Sequence, residues 1–252
     1  MHLGLEIYIM LFFAGLLAGF IDSIAGGGGL ITLPALLTAG IPPHIALGTN
    51  KLQSTFGVFT AAINFIGKGK VHLKECGLGI FATLIGATIG ALTIQWLDSG
   101  FLSHLVLFLL LLVFVYTVFS KNLGFKDTKA KIHDPLYYLL FGLALGFYDG
   151  FFGPGTGSFW TASLLILLGY NLTKAVGVTK VMNFTSNLVA LTVFSISGNV
   201  NVTVGVTMAV GQVIGSRFGS NMAIKKGAGF IRPIFLSVVL LTIIRLFYVN
   251  YF

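Results

Sequence analysis

Charge is what this sequence lacks. Only 9% of its 252 residues are charged, while 56% are hydrophobic. A soluble domain carries about a quarter charged residues, so that class is excluded. Cysteine is as scarce: Cys76 stands alone, which excludes an internal disulfide. The opening "MHLGLEIYIM" has Glu6 but no Lys or Arg, so the basic start of a cleavable signal peptide is not expected. The net charge of +8 does not point to nucleic acid, because the basic residues cluster between apolar runs, as cytoplasmic loops do. His44, His72, His104 and His133 show no metal-ligand spacing, and no nucleophile–base set or phosphate loop appears. No metal, cofactor or enzymatic activity is expected.

What is present is apolar sequence of spanning length. "FLSHLVLFLLLLVFVYTVFS" (101–120) carries no formal charge with His104 neutral, and twenty helical residues cover about 30 Å, a bilayer core. The expected fold is therefore an all-α polytopic membrane protein, one membrane domain over 1–252.

The chain repeats itself. "GLLAGFIDSIAGGGG" (15–29) aligns with "GLALGFYDGFFGPGT" (142–156), matching Gly15, Gly19, Phe20, Asp22, Gly26 and Gly28 to Gly142, Gly146, Phe147, Asp149, Gly153 and Gly155. "ALGTNK" (46–51) then aligns with "AVGVTK" (175–180). Two homologous repeats are predicted, about 6–120 and about 135–250, joined by a polar cytoplasmic linker over 121–134. Each reads as a helix broken by glycine (about 6–24; 135–151), a short apolar piece (about 28–40; 157–169) and three longer helices. Those helices are expected at about 44–66, 75–97 and 101–120, then 173–197, 202–222 and 230–249.

Loop charge chooses the topology. If each broken helix and its short partner form a hairpin that returns to its starting side, three crossings follow and the second repeat is inverted. The loops with Lys68, Lys70 and Lys74, with Lys121 to Lys131, and with Lys225 and Lys226 then share one side. The positive-inside rule makes that side cytoplasmic and both termini periplasmic.

Glycine pairs such as Gly15/Gly19 and Gly142/Gly146 have the spacing of close helix packing. The breaks themselves read differently. Irregular backbone at membrane depth is tolerated where it faces a cavity, and paired short, broken segments mark transporter binding sites. Gly26, Gly27, Gly28 and Gly29, and Gly153, Gly155, Thr156 and Ser158, are the expected substrate contacts, with the short helices' N-termini favouring an anion. Asn50 and Lys51, with their counterparts Thr179 and Lys180, complete the set. Asp22 and Asp149 either carry a coupling proton or pair structurally with the lysines. The first repeat is the more polar around its lysine, so the two half-sites are expected to be unequal.

The segments "GFIDSIAGGGGLITLPALL" and "ALGTNKLQS", with their second copies "GFYDGFFGPGTGSFWTASLL" and "AVGVTKVMNFTSN", resemble the TauE/SafE sulfite-exporter family of permeases over nearly the whole chain. The resemblance implies a bacterial inner-membrane permease for a small anion such as sulfite, an organosulfonate or a related organic acid. From the residues, a secondary transporter leads and an anion-selective channel is the alternative. Lipid bilayer, small anion and a coupling proton are the expected partners, and a homo-oligomer is left open.

Overall fold

The computed structural model describes residues 3–94 and 124–251. The helix expected at 101–120 lies outside them. Among the described residues the elements are α1 (Leu5–Ala25), α2 (Gly29–Thr38), α3 (Pro43–Gly67), α4 (Leu73–Thr93), α5 (Asp134–Phe151), α6 (Thr156–Leu167), α7 (Leu172–Ile196), α8 (Val202–Lys226) and α9 (Ala228–Tyr251). These bounds fall close to those read from the glycine breaks and apolar runs.

Local chemistry explains the boundaries. α3 and α5 begin with proline in the first turn, where a missing N–H costs nothing. Asn171 and Asn201 cap α7 and α8 by accepting from the N–H of Lys174 and Val204. α1 stops at Gly26, whose φ of 81° belongs to the left-handed region that side chains resist.

The middle of α3 inverts the pattern of a helix in a water-soluble bundle. On α3, Thr49, Asn50, Lys51 and Gln53 are buried, whereas Phe56, Phe59 and Ile63 face outward. Phe13, Phe81 and Phe218 are likewise exposed. Outward apolar surface on this scale suits lipid. α1 and α4 are long and apolar enough to cross a membrane. α3, α7 and α8 have 25 residues each, also enough by length, but carry a polar seam that faces inward.

Glycine lets the helices touch. A Cβ on Gly15 would lie 2.4 Å from the Met208 carbonyl oxygen, and one on Gly215 2.0 Å from that of Leu16. These contacts advance in the same direction along α1 and α8, so the two helices are parallel. α4 and α5 meet likewise: Gly146 sits against Thr83, Gly150 against Ala87 and Gly90 against Phe147. Each half's first helix thus packs on a long helix of the other half, α1 on α8 and α5 on α4.

Directions follow from the remaining contacts. α3 runs parallel to α8, with Thr49 near Asn201 and Asn64 near Ser220. It runs antiparallel to α7, with Gly48 near Phe194 and Phe65 near Gly177. The ends of α3 and α8 and the start of α7 therefore share one end of the bundle. The linker joins them there, through Thr128 N–H to Gly169 O (2.7 Å) and Leu172 N–H to Gly124 O (2.8 Å). Lys68, Lys70, Lys126, Lys129, Lys131, Lys225 and Lys226 gather at this end. α2 doubles back along α1, since Leu33, Leu36 and Ile41 cluster with Leu11 and Ile7. It is a hairpin arm, not a crossing.

Candidate anion site at the two helix breaks

The two glycine breaks abut at the centre of the bundle. A Cβ on Gly26 would fall 2.8 Å from the Gly157 backbone, and one on Gly157 2.9 Å from Gly26. Only backbone without side chains allows this approach, so the run of glycines has a steric cause beyond turn formation. The first turns of α2 and α6 consequently open onto one cavity of about 30 Å³, room for about two waters.

Most of the expected residues line it. From the first half come Asp22, Gly27, Gly28, Gly29, Asn50 and Lys51; from the second, Asp149, Gly153, Gly155 and Thr156. Four expected residues are placed elsewhere. Gly26 packs on the opposite break, and Lys180 is fully buried behind Asp22. Thr179 hydrogen-bonds Thr161 at 3.1 Å and donates to Ala175 O. The Ser158 hydroxyl is buried and has no partner among the described residues.

Both lysines form ion pairs across the halves. Lys51 Nζ lies 2.7 Å from Asp149 Oδ1 and also donates to the Asp149 carbonyl, with both side chains almost wholly buried. Asp149 Oδ2 accepts from the Ser186 hydroxyl and from Asn187 Nδ2 at 3.3 Å. Lys180 Nζ lies 3.1 Å from Asp22 Oδ2 and donates to the Asp22 carbonyl. Lys51 thus ties down a carbonyl that no backbone N–H among the described residues reaches at its break, whereas the Asp22 carbonyl is shared between Lys180 and the Gly26 N–H at 2.8 Å.

The polar surface of the cavity is oriented. Asn50 Oδ1 accepts from Thr32 Oγ1 (2.5 Å) and Gln53 Nε2 (2.8 Å), which turns its amide N–H groups toward Gly29. No hydrogen bond among the described residues satisfies the N–H of Gly29 or Gly157, each in the first turn of its helix. Free N–H groups, side-chain amides and an ammonium offer donors to oxygen atoms carrying negative charge, beside the lysine-paired carboxylates of Asp22 and Asp149.

Ser54, Asn183 and Asn187 also line the cavity and were missed as site residues. Their signals are faint: Ser54 and Asn183 match between the repeats as polar neighbours of the lysines, Ser54 follows Asn50 by one turn, and Asn187 follows Asn183 likewise. Among the described residues no cluster of His, Cys, Asp and Glu has the makings of a metal site.

Comparison with known proteins agrees with the residues. The family model described as "Sulfite exporter TauE/SafE" matches residues 11–246. A "Probable membrane transporter protein" of Haemophilus influenzae is 43% identical over 92% of this chain and 91% of its own. "Probable membrane transporter protein YfcA" of Escherichia coli is 41% identical, covering 95% and 89%. YdhB of Bacillus subtilis, with the same descriptive name, is 28% identical over 70% and 72%. No solved structure matches the chain.

Proposed function

The chain belongs to the TauE/SafE sulfite-exporter family and is a membrane transporter; from that premise we propose that it is a secondary permease of the bacterial inner membrane for a small anion, sulfite or a related organosulfonate. The observation that carries this reading is the meeting of two helix breaks at one donor-lined cavity between the halves.

The anion enters between the breaks and meets the donors that line the cavity, Lys51 among them. At its present size the cavity admits little more than water, so it opens as substrate arrives. Two inverted repeats provide the means, one rocking against the other about the central site. The opposed directions of α3 and α7 support such an arrangement, as does the exchange of first helices between halves. Asp149 or Asp22 accepts a coupling proton when its lysine turns to the anion. The gathering of lysines at one end supports a cytoplasmic face there and periplasmic termini.

Counterflow tests the proposal. Proteoliposomes preloaded with unlabelled sulfite should accumulate labelled sulfite, with a rate that saturates. Flux that rises linearly with concentration would indicate a channel instead, the alternative that the relatives' names do not favour.

A further inference from the structure

The two helix N-termini at the cavity are not equivalent. At α2 the protein supplies its own anion. The N–H of Gly28 donates to Asp22 Oδ1 at 3.1 Å, and the carboxylate lies over the glycine run, its Cγ 3.3 Å from where a Cβ on Gly28 would be. Lys180 holds the other oxygen.

At α6 the corresponding carboxylate lies beside the break, its Oδ1 3.0 Å from where a Cβ on Gly153 would sit, but is engaged by other donors. Asp149 is committed to Lys51, Ser186 and Asn187, and none of the hydrogen bonds among the described residues joins it to an N–H of the second break. Among the described residues, two buried polar atoms in or beside the first turn of α6 are without partners. One is Ser158 Oγ, in the first turn of α6, and the other is Asn183 Oδ1. The two residues are 1% and 5% exposed. Asn183 lines the cavity together with Gly155 and Gly157, its Nδ2 3.1 Å from where a Cβ on Gly157 would sit. Unpartnered buried polar atoms are rare and costly, and a ligand is one way to satisfy them.

We propose that the substrate oxyanion is seated at the N-terminus of α6 alone, held by the Gly157 N–H, the Ser158 hydroxyl, Asn183 Nδ2 and Lys51, while Asp22 fills the equivalent place at α2. The same placement defines the substrate class. Asn183 Oδ1 accepts only, so the ligand that satisfies it is an oxyanion that also carries a hydrogen-bond donor, a hydroxyl being the smallest neutral one. This rests on the transport reading above and deepens it.

Calorimetry on the purified full chain in nanodiscs separates the two. The probes are sulfite, hydroxymethanesulfonate and methanesulfonate, which share an anionic sulfur–oxygen head while methanesulfonate lacks the hydroxyl. The expected result is one site per chain, with hydroxymethanesulfonate bound about fivefold more tightly than methanesulfonate, the worth of one neutral hydrogen bond. Asn183→Leu should erase that preference. Ser158→Ala, which removes one oxygen and little volume, should weaken both sulfonates and guards against an Asn183 variant that fails to fold. Two equivalent sites per chain would overturn the single seat, as would unchanged binding in Ser158→Ala together with a preserved preference in Asn183→Leu. A wild-type protein that binds none of the three probes would overturn the transport reading itself.

Discussion

Replacing Lys51 with methionine removes a charge and keeps most of the stem. In the folded protein its Nζ neutralises Asp149 at 2.7 Å and donates to the Asp149 carbonyl, at a position 2% exposed. Without it, Asp149 keeps only the Ser186 and Asn187 donors, both neutral. Breaking one side of a buried pair costs about 3–5 kcal/mol. For a chain of this length that amounts to a fall of about 6–20 °C in apparent melting temperature. Lys51→Met/Asp149→Asn removes both charges, leaves the amide in the same hydrogen bonds and should recover most of the loss. Thermal unfolding of detergent-purified protein, followed by intrinsic fluorescence, gives the stabilities, and sulfite counterflow gives the function. The double variant should be stable and still fail to transport, because the ammonium is needed by the anion. Full recovery of both stability and transport would refute that role and leave the pair purely structural. A single variant as stable as wild type would refute the coupling itself.

Three further outcomes follow from the packing. Gly27→Leu should abolish transport with membrane insertion intact, since Gly27 has φ 93° and a Cβ there would lie 2.6 Å from Val238 Cγ1; unchanged uptake kinetics would contradict this. Gly90→Leu, whose Cβ would lie 2.1 Å from the Phe147 carbonyl oxygen, should separate α4 from α5 and reduce folded yield on size-exclusion chromatography, whereas Gly77→Ala, with nothing within 4 Å, should not. A C-terminal reporter active only in the periplasm should light up, and a cysteine at Lys129 should react only with permeant reagents; the reverse pattern would invert the topology.

Much of this architecture was legible in the sequence because glycine and charge are expensive in lipid. The breaks at Gly26 and Gly153 and the short arms after them could be placed within a few residues, since few other residues tolerate that backbone. What internal similarity could not supply was contact. It showed Asp22 equivalent to Asp149 and Lys51 to Lys180, but equivalence does not say whether a lysine pairs within its own half or across; that depends on the exchange of α1 and α5 between halves. The displacement of Lys180 and Thr179 from the cavity was hidden for the same reason, because both sit at helix positions equivalent to cavity residues. Asn187 gave only a polar spacing of one turn from Asn183, a pattern many helices share.

The crossed ion pairs bear on how the protein is made. Asp22 and Lys51 enter the membrane with the first helices, and their partners, Lys180 and Asp149, are synthesised 158 and 98 residues later. During that interval the nascent chain holds an unmatched acid and an unmatched base in an apolar setting, each costly to keep there. A first half produced alone never leaves that condition. Such a half should be degraded quickly in a pulse-chase, and co-expression of the second half in trans should lengthen its lifetime; equal lifetimes would contradict this.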